Sequence, residues 1–257
     1  WVMFFGMLAY AYYSKHLKHA PLFKKFYWPD WSEMKVIMAL GMPIAFSLLF
    51  EVSLFAVVAI ILAPFGANVV ASHQIAINFS GLVFMVPLSL AMAVTIKVGF
   101  EVGNKNLENA KELCRYSVIL GLIIAVATAA LTLLFSTQIA AIYTTDIEVL
   151  ELAASLMFLA ALFQFSDAIQ VISAGALRGY KDTKSILYIT FFSYWIVGLS
   201  FGLILGLTDW IVPATGPYGF WVGFISGLTV AAVLLAWRLK IVQQRLDQQV
   251  ALEHTTQ

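Results

Sequence analysis

Charge is what this sequence lacks most. Asp, Glu, Lys and Arg together make up 11% of its 257 residues, against about 25% in a soluble domain, whose surface must be solvated. Hydrophobic residues stand at 61%, with a mean hydropathy of +0.89, so much of the surface must face lipid rather than water. A net charge of +1 leaves no electrostatic footprint for nucleic acid. The single cysteine, Cys114, excludes an internal disulfide framework and a CxxC metal site. Set between Leu113 and Arg115 at the edge of an apolar run, it reads as an inert structural thiol. Histidine is scarce as well, and His16, His19 and His254 fall on polar segments without the facing ligands of a metal cluster.

Long apolar runs are what the sequence has instead. Six of them, at 36–63, 69–98, 116–135, 149–177, 186–207 and 218–237, reach the ~20 residues needed to cross a hydrocarbon core. None alternates apolar and polar positions as outer-membrane strands do. In lipid only a helix satisfies its own backbone, so the expected fold is all-α, a polytopic bundle of six transmembrane helices. A seventh run, from Trp1 to Tyr13, is too short to span and lacks the basic leader and cleavage site of a signal peptide. It is expected to be the end of a helix that begins outside this chain.

The basic residues order these runs. Lys15, Lys18, Lys24, Lys25 and Lys35 precede the first span, and Lys97, Lys105, Lys111 and Arg115 fall around the second connection. Arg178, Lys181 and Lys184 fall around the fourth, and Arg238, Lys240 and Arg245 follow the last span. Together they are all fifteen Lys and Arg residues. The connections at 64–68, 136–148 and 208–217 hold none. Under the positive-inside rule both ends of the chain are cytoplasmic. The stretch 105–115 carries mixed charges at helical spacing and reads as a solvated helical lead-in.

Two acids remain inside the membrane. Glu51 lies 16 residues after Lys35 and 13 before Pro64, or ~24 Å and ~20 Å along a helix, at mid-bilayer. Asp167 lies 19 residues after Glu148 and 11 before Arg178, ~16 Å along the axis from that arginine. A charge at a helix centre costs roughly 2.5–3.5 kcal/mol on insertion scales, so such residues are functional candidates by default. Ser166, Asp167, Gln170 and Ser173 share one helix face, and Pro43, Ser47 and Glu51 stack at i, i+4 and i+8. Pro43 leaves the carbonyl of Ala39 without its helical partner, available as an oxygen ligand or a hinge. Gln74, Asn78 and Gly81 form a further polar or small stripe, on a helix that Pro87 can bend. No Lys, Arg or His stands at comparable depth except His73 near an outer helix end, so the counter-charge for the acids is expected from protons or small monovalent cations. A proteolytic role for two acids would need closely matched aspartates, and the sequence has no GxGD-type segment, so no enzyme activity is expected.

Three segments resemble the multidrug and toxin extrusion (MATE) transporters: 41–45 through 49–55 (GMPIA … LFEVSLF), 71–78 (ASHQIAIN), close to that family's AxHQIAxN pattern, and 175–183 (GALRGYKDT). They occur in the family's order, the resemblance covers almost all of residues 1–245, and it is closest to the bacterial NorM branch. It implies a twelve-helix transporter of two six-helix lobes. Residues 1–13 would end the sixth helix, 14–35 form a cytoplasmic inter-lobe loop, 36–242 form the C-terminal lobe and 243–257 a cytoplasmic tail. It also implies a bacterial inner-membrane protein that exports cationic, often aromatic drugs by antiport with Na+ or H+, with no other cofactor and with the N-terminal six-helix half as partner.

By that resemblance Glu51 and Asp167 are the two cation-coupling acids and the candidate Na+ ligands. Ser47, Gln74, Asn78, Ser166 and Gln170 are supporting polar lining, and Pro43 is the hinge. Some relatives carry a tyrosine one turn before the second acid, where this chain has Phe163. Phe50, Phe55, Phe79, Met85, Met92 and Tyr194 are candidates for an adaptable, weakly selective lining. A lipid-linked-substrate flippase of the same superfamily would call for a basic cavity, and these helices offer acids. A non-transporting subunit or channel would function without the other half.

Overall fold

The computed structural model describes residues 1–13 and 30–255. Lys15, Lys18, Lys24, Lys25, His16 and His19 lie outside the described residues, as does the side chain of His254. Every regular element among the described residues is helical. In chain order these are α1 (Val2–Tyr13), α2 (Trp31–Leu62), a 3₁₀ turn (Ala63–Phe65), α3 (Ala67–Gly103), α4 (Leu107–Leu134), α5 (Ser136–Tyr143) and α6 (Ile147–Gly179). There follow α7 (Thr183–Phe191), a π-helical segment (Phe192–Gly198), α8 (Leu199–Leu207) and α9 (Pro217–Thr255).

Among the described residues six segments are long and apolar enough to span a membrane: Trp31–Phe65, Ala67–Gly103, Leu107–Leu134, Ile147–Gly179, Thr183–Leu207 and Pro217–Gln249. Several outrun the apolar stretches at the basic end, because helical backbone satisfies itself in water as it does in lipid. α2 starts at Trp31, α9 continues through the tail to Thr255, and α4 starts at Leu107, nine residues before its apolar run. There the Asn106 side chain caps the helix by accepting from the Asn109 N–H at 3.4 Å.

The chain divides into two units, Trp1–Ala39 and Leu40–Gln257. The first contains α1, where large apolar side chains such as Phe4, Phe5, Met7 and Tyr10 are exposed. The second is organised around α6, which packs on α3, α4, α5 and α9. Small residues allow these approaches. A Cβ on Gly175 of α6 would stand 2.5 Å from the Ala91 carbonyl oxygen of α3. Thr95 Oγ1 closes the same contact by donating to the Gly175 carbonyl at 2.8 Å. Between α8, with its π-helical lead-in, and α9, two glycine rows interlock: Gly198, Gly202 and Gly206 against Gly219, Gly223 and Gly227. Both rows repeat every fourth residue, the small-xxx-small pattern that brings membrane helices close. Polar side chains add links, Gln164 Nε2 to Thr132 Oγ1 at 3.0 Å and Ser72 Oγ to the Val149 carbonyl at 3.0 Å.

α2 differs from the other spans of this unit. No other helix backbone approaches it extensively, and it is held by side chains: Leu54, Val58 and Leu62 are buried in the core. The basic end of the lobe is tied by ion pairs between Arg238 and Asp182 (2.7 Å) and between Lys111 and Asp247. Cys114 is a buried free thiol in the core beneath them.

Candidate cation-binding site

Glu51 of α2 and Asp167 of α6 line one cavity of about 160 Å³, together with Phe55, Ser80, Phe84, Phe163 and Trp221. Asp167 is 5% exposed, and Glu51 is partly buried. Asp167, Ser80 and Phe163 also line a second space of about 10 Å³ between α3, α4 and α6, close to the room one water needs. The walls are aromatic and interlocked, with ring centroids 6.3 Å apart for Phe55–Phe163 and 6.1 Å for Phe163–Trp221. Two acids thus face a narrow, mostly apolar chamber.

Of the buried polar atoms among the described residues that have no hydrogen-bond partner, Ser80 Oγ lines the cavity, Gln170 Oε1 and Ser173 Oγ follow Asp167 along α6, and Ser193 Oγ lies on the π-helical segment. The Tyr194 hydroxyl has the Gln170 side chain as its neighbour. Tyr194 is fully buried and lies within electrostatic range of both acids. It sits on the π-helical segment Phe192–Gly198, a local widening that recurs at functional sites. The next residue, Trp195, donates Nε1 to the Phe50 carbonyl at 3.2 Å, so this segment holds α2 one residue before Glu51.

The other expected residues scatter. Ser47 is buried one turn before Glu51, but its Oγ donates to its own helix at Ile44 O, 2.8 Å away. Pro43 is buried a further turn back. Gln170 is buried one turn beyond Asp167. Ser166 turns to α9 and pairs with Thr229 Oγ1 at 2.8 Å. Gln74 and Asn78 stand on an exposed face of α3, where Asn78 Nδ2 donates to the Gln74 carbonyl at 2.9 Å. Of the expected aromatic and Met lining, Phe55 faces the cavity, Tyr194 is enclosed behind it, and Met85 and Met92 are exposed. His73 is buried beside Trp221 and Phe224, at ring distances of 6.0 and 6.3 Å.

The expectation that no protein cation reaches the acids does not hold. Arg178 lies within electrostatic range of Glu51, and its buried Nε has no hydrogen-bond partner among the described residues. Axial counting between α-carbons misplaces it, because helical side chains lean toward the N-terminus of their own helix. On α6 that direction leads from Arg178 back toward Asp167.

Ser80 and the reach of Arg178 toward Glu51 were missed in the sequence, and Tyr194 was read there only as adaptable lining. Ser80 shares a buried α3 stripe with Ser72, His73, Ala76 and Pro87. That stripe of small residues was the available signal, since it marks the packed face of a membrane helix. The amide stripe of Gln74 and Asn78 lies on another face.

No group of three His, Cys, Asp or Glu residues stands together among the described residues. Two carboxylates with hydroxyl and amide oxygens form a donor set for a proton or a hard monovalent cation, not for a thiophilic metal.

The MatE family model matches residues 43–204, which include both acids and the π-helical segment. The chain belongs to the MatE family. It is 50% identical over 253 residues to the multidrug resistance protein NorM of Photobacterium profundum, covering 98% of this chain and 56% of that protein. It is 51% identical over 245 residues to the multidrug resistance protein MdtK of Yersinia enterocolitica, covering 95% and 54%. The chain thus spans about half the length of the curated relatives it matches. The MatE fold appears also in the crystal structure of the eukaryotic MATE transporter AtDTX14, which superimposes with a TM-score of 0.85 at 18% identity, over 97% of this chain and 56% of that one.

Proposed function

We propose that this chain is the cation-coupling lobe of a multidrug antiporter in the bacterial inner membrane, with both of its ends cytoplasmic. The complete transporter would pair it with an N-terminal six-helix half and export cationic, often aromatic drugs against an inward flow of Na+ or H+. The observation that carries this reading is the meeting of Glu51 and Asp167 in one cavity that the unpartnered Ser80 hydroxyl also lines. The NorM and MdtK relatives, each named a multidrug resistance protein, support the export of drugs.

Coupling requires that cation and drug stabilise different conformations, because a ligand that binds two states equally shifts nothing. Glu51 and Asp167 sit on helices of unequal attachment: α6 is the centre of the lobe, and α2 is held by side chains and carries Pro43 inside it. A cation bridging the two acids draws α2 onto α6. Its release frees α2 and, through the Trp195 bond to Phe50, alters the π-helical segment. Arg178 takes over as partner of Glu51 when the cation has gone. Gln74 and Asn78, exposed amides on a spanning helix, belong to a hydrated cleft facing the other half, since amides facing hydrocarbon are costly.

Efflux of a fluorescent aromatic cation such as ethidium from cells expressing the full-length protein tests the reading. Glu51→Gln and Asp167→Asn are each expected to reduce efflux to the background of cells without the transporter. Undiminished efflux in both variants sinks the assignment.

A further inference from the structure

At the basic end of the lobe, α4 and α9 diverge around an open groove of about 500 Å³. Lys111 and Arg115 of α4 and Lys240 of α9 line it, with Val118, Ile119 and Leu239 forming apolar walls. Lys111 is paired with Asp247 at the rim, whereas Arg115 and Lys240 have no ion-pair partner among the described residues. Two uncompensated cations therefore converge on one gap between two helices.

Their depth matches a lipid headgroup. Arg115 lies 19 residues before the far end of α4 at Leu134, and Lys240 lies 23 residues after the start of α9 at Pro217. At 1.5 Å per residue these distances are ~28 Å and ~34 Å, either side of the ~30 Å hydrocarbon thickness. Both charges stand at the level of lipid phosphates, and the apolar walls continue from them toward the membrane interior. Ile119 is 44% exposed and Trp237, one turn from Lys240, is 62% exposed, so the groove opens onto the acyl-chain region. Its volume is far larger than a phosphate ion needs and suits a headgroup with the first segments of two chains.

We infer that this groove binds one anionic phospholipid of the leaflet on the basic side, with the phosphate held by Arg115 and Lys240 and the acyl chains laid against Val118, Ile119 and Leu239. Basic pockets between membrane helices recognise anionic headgroups in this way. The bound lipid fills the gap between α4 and α9, which make few direct contacts with each other, and so braces α6 from behind.

Native mass spectrometry of the purified full-length protein, titrated with dioleoylphosphatidylglycerol or dioleoylphosphatidylcholine, tests this. The wild type is expected to retain one phosphatidylglycerol in preference to phosphatidylcholine. Arg115→Gln with Lys240→Gln should weaken that retention about twenty-five-fold, at about fivefold per charge removed. Arg115→Lys with Lys240→Arg, which keeps both charges, should retain the lipid and thereby separate charge from folding. Lys97→Gln with Lys184→Gln, basic positions of the same end outside the groove, should leave it unchanged. Equal retention of the two lipids, an unaltered Gln variant, or an equal loss in the Lys97/Lys184 control overturns the inference. So does a protein dimer, in place of the lipid adduct, that the groove substitutions dissociate.

Discussion

Ser80 and Tyr194 carry the sharpest consequences at the scale of single residues. The buried Ser80 hydroxyl has no hydrogen-bond partner among the described residues, so removing its oxygen breaks no intramolecular bond, whereas the Tyr194 hydroxyl stands within hydrogen-bond reach of the Gln170 side chain. Ser80 faces the cavity shared by Glu51 and Asp167, and Tyr194 stands within electrostatic range of both acids. A hydroxyl that completes the shell of a bound charge contributes more than a neutral hydrogen bond does. Ser80→Ala is therefore expected to leave the thermal midpoint of the purified protein within a degree or two of wild type, and Tyr194→Phe, which gives up one neutral hydrogen bond, to lower it by a few degrees at most. Each should raise the sodium concentration, or the proton gradient, needed for half-maximal efflux by about tenfold. An unchanged requirement in both would confine the site to the two carboxylates. Phe163, buried at 6% on the wall of both spaces, brings no oxygen of its own. That absence places more of the shell on Ser80, Gln170 and Tyr194.

Elements differ in how they are built, and in how far they could be read from residues alone. The six spans were legible because length and hydropathy determine what can cross lipid, and the depth of Glu51 and Asp167 followed from counting along helices. Three features escaped. α5 (Ser136–Tyr143) is too short and mixed to stand out from a connection. The π-helical turn around Tyr194 depends on packing against α2 and α9, not on a local propensity. Arg178 reaches back toward Glu51 through its side chain, which α-carbon spacing cannot express. The facing glycine rows of α8 and α9 were present as a four-residue repeat, and the structure supplies the partner each row needs. A Cβ on Gly223 would lie 2.6 Å from the Gly198 carbonyl oxygen, whereas one on Gly41 would meet nothing within 4 Å. Gly223→Leu should thus lower the thermal midpoint by several degrees or abolish folded yield, while Gly41→Ala should not lower it; fluorescence-detected size-exclusion chromatography with heating distinguishes them. Pro43 works in the opposite sense. Pro43→Ala restores a donor to the Ala39 carbonyl and stiffens α2, so efflux turnover should fall while the thermal midpoint holds or rises. A fall in both would mean that Pro43 serves packing and not movement.

At the scale of the whole molecule, the asymmetry of charge is what organises function. Within the lobe, Lys111 and Arg115 of α4 and Lys240 of α9 frame one groove between these helices. The acids meet in the interior, where Arg178 offers Glu51 a fixed opposite charge. On the proposed reading, the use of such a lobe is to bind a mobile cation. Sodium or proton uptake into proteoliposomes containing the full-length transporter, recorded as an outward drug gradient is applied, measures that use directly. Drug-dependent cation flux is expected in the wild type and none in Glu51→Gln or Asp167→Asn, with both variants still folded and still reconstituted. Cation flux that persists at the wild-type rate in the double variant would contradict it.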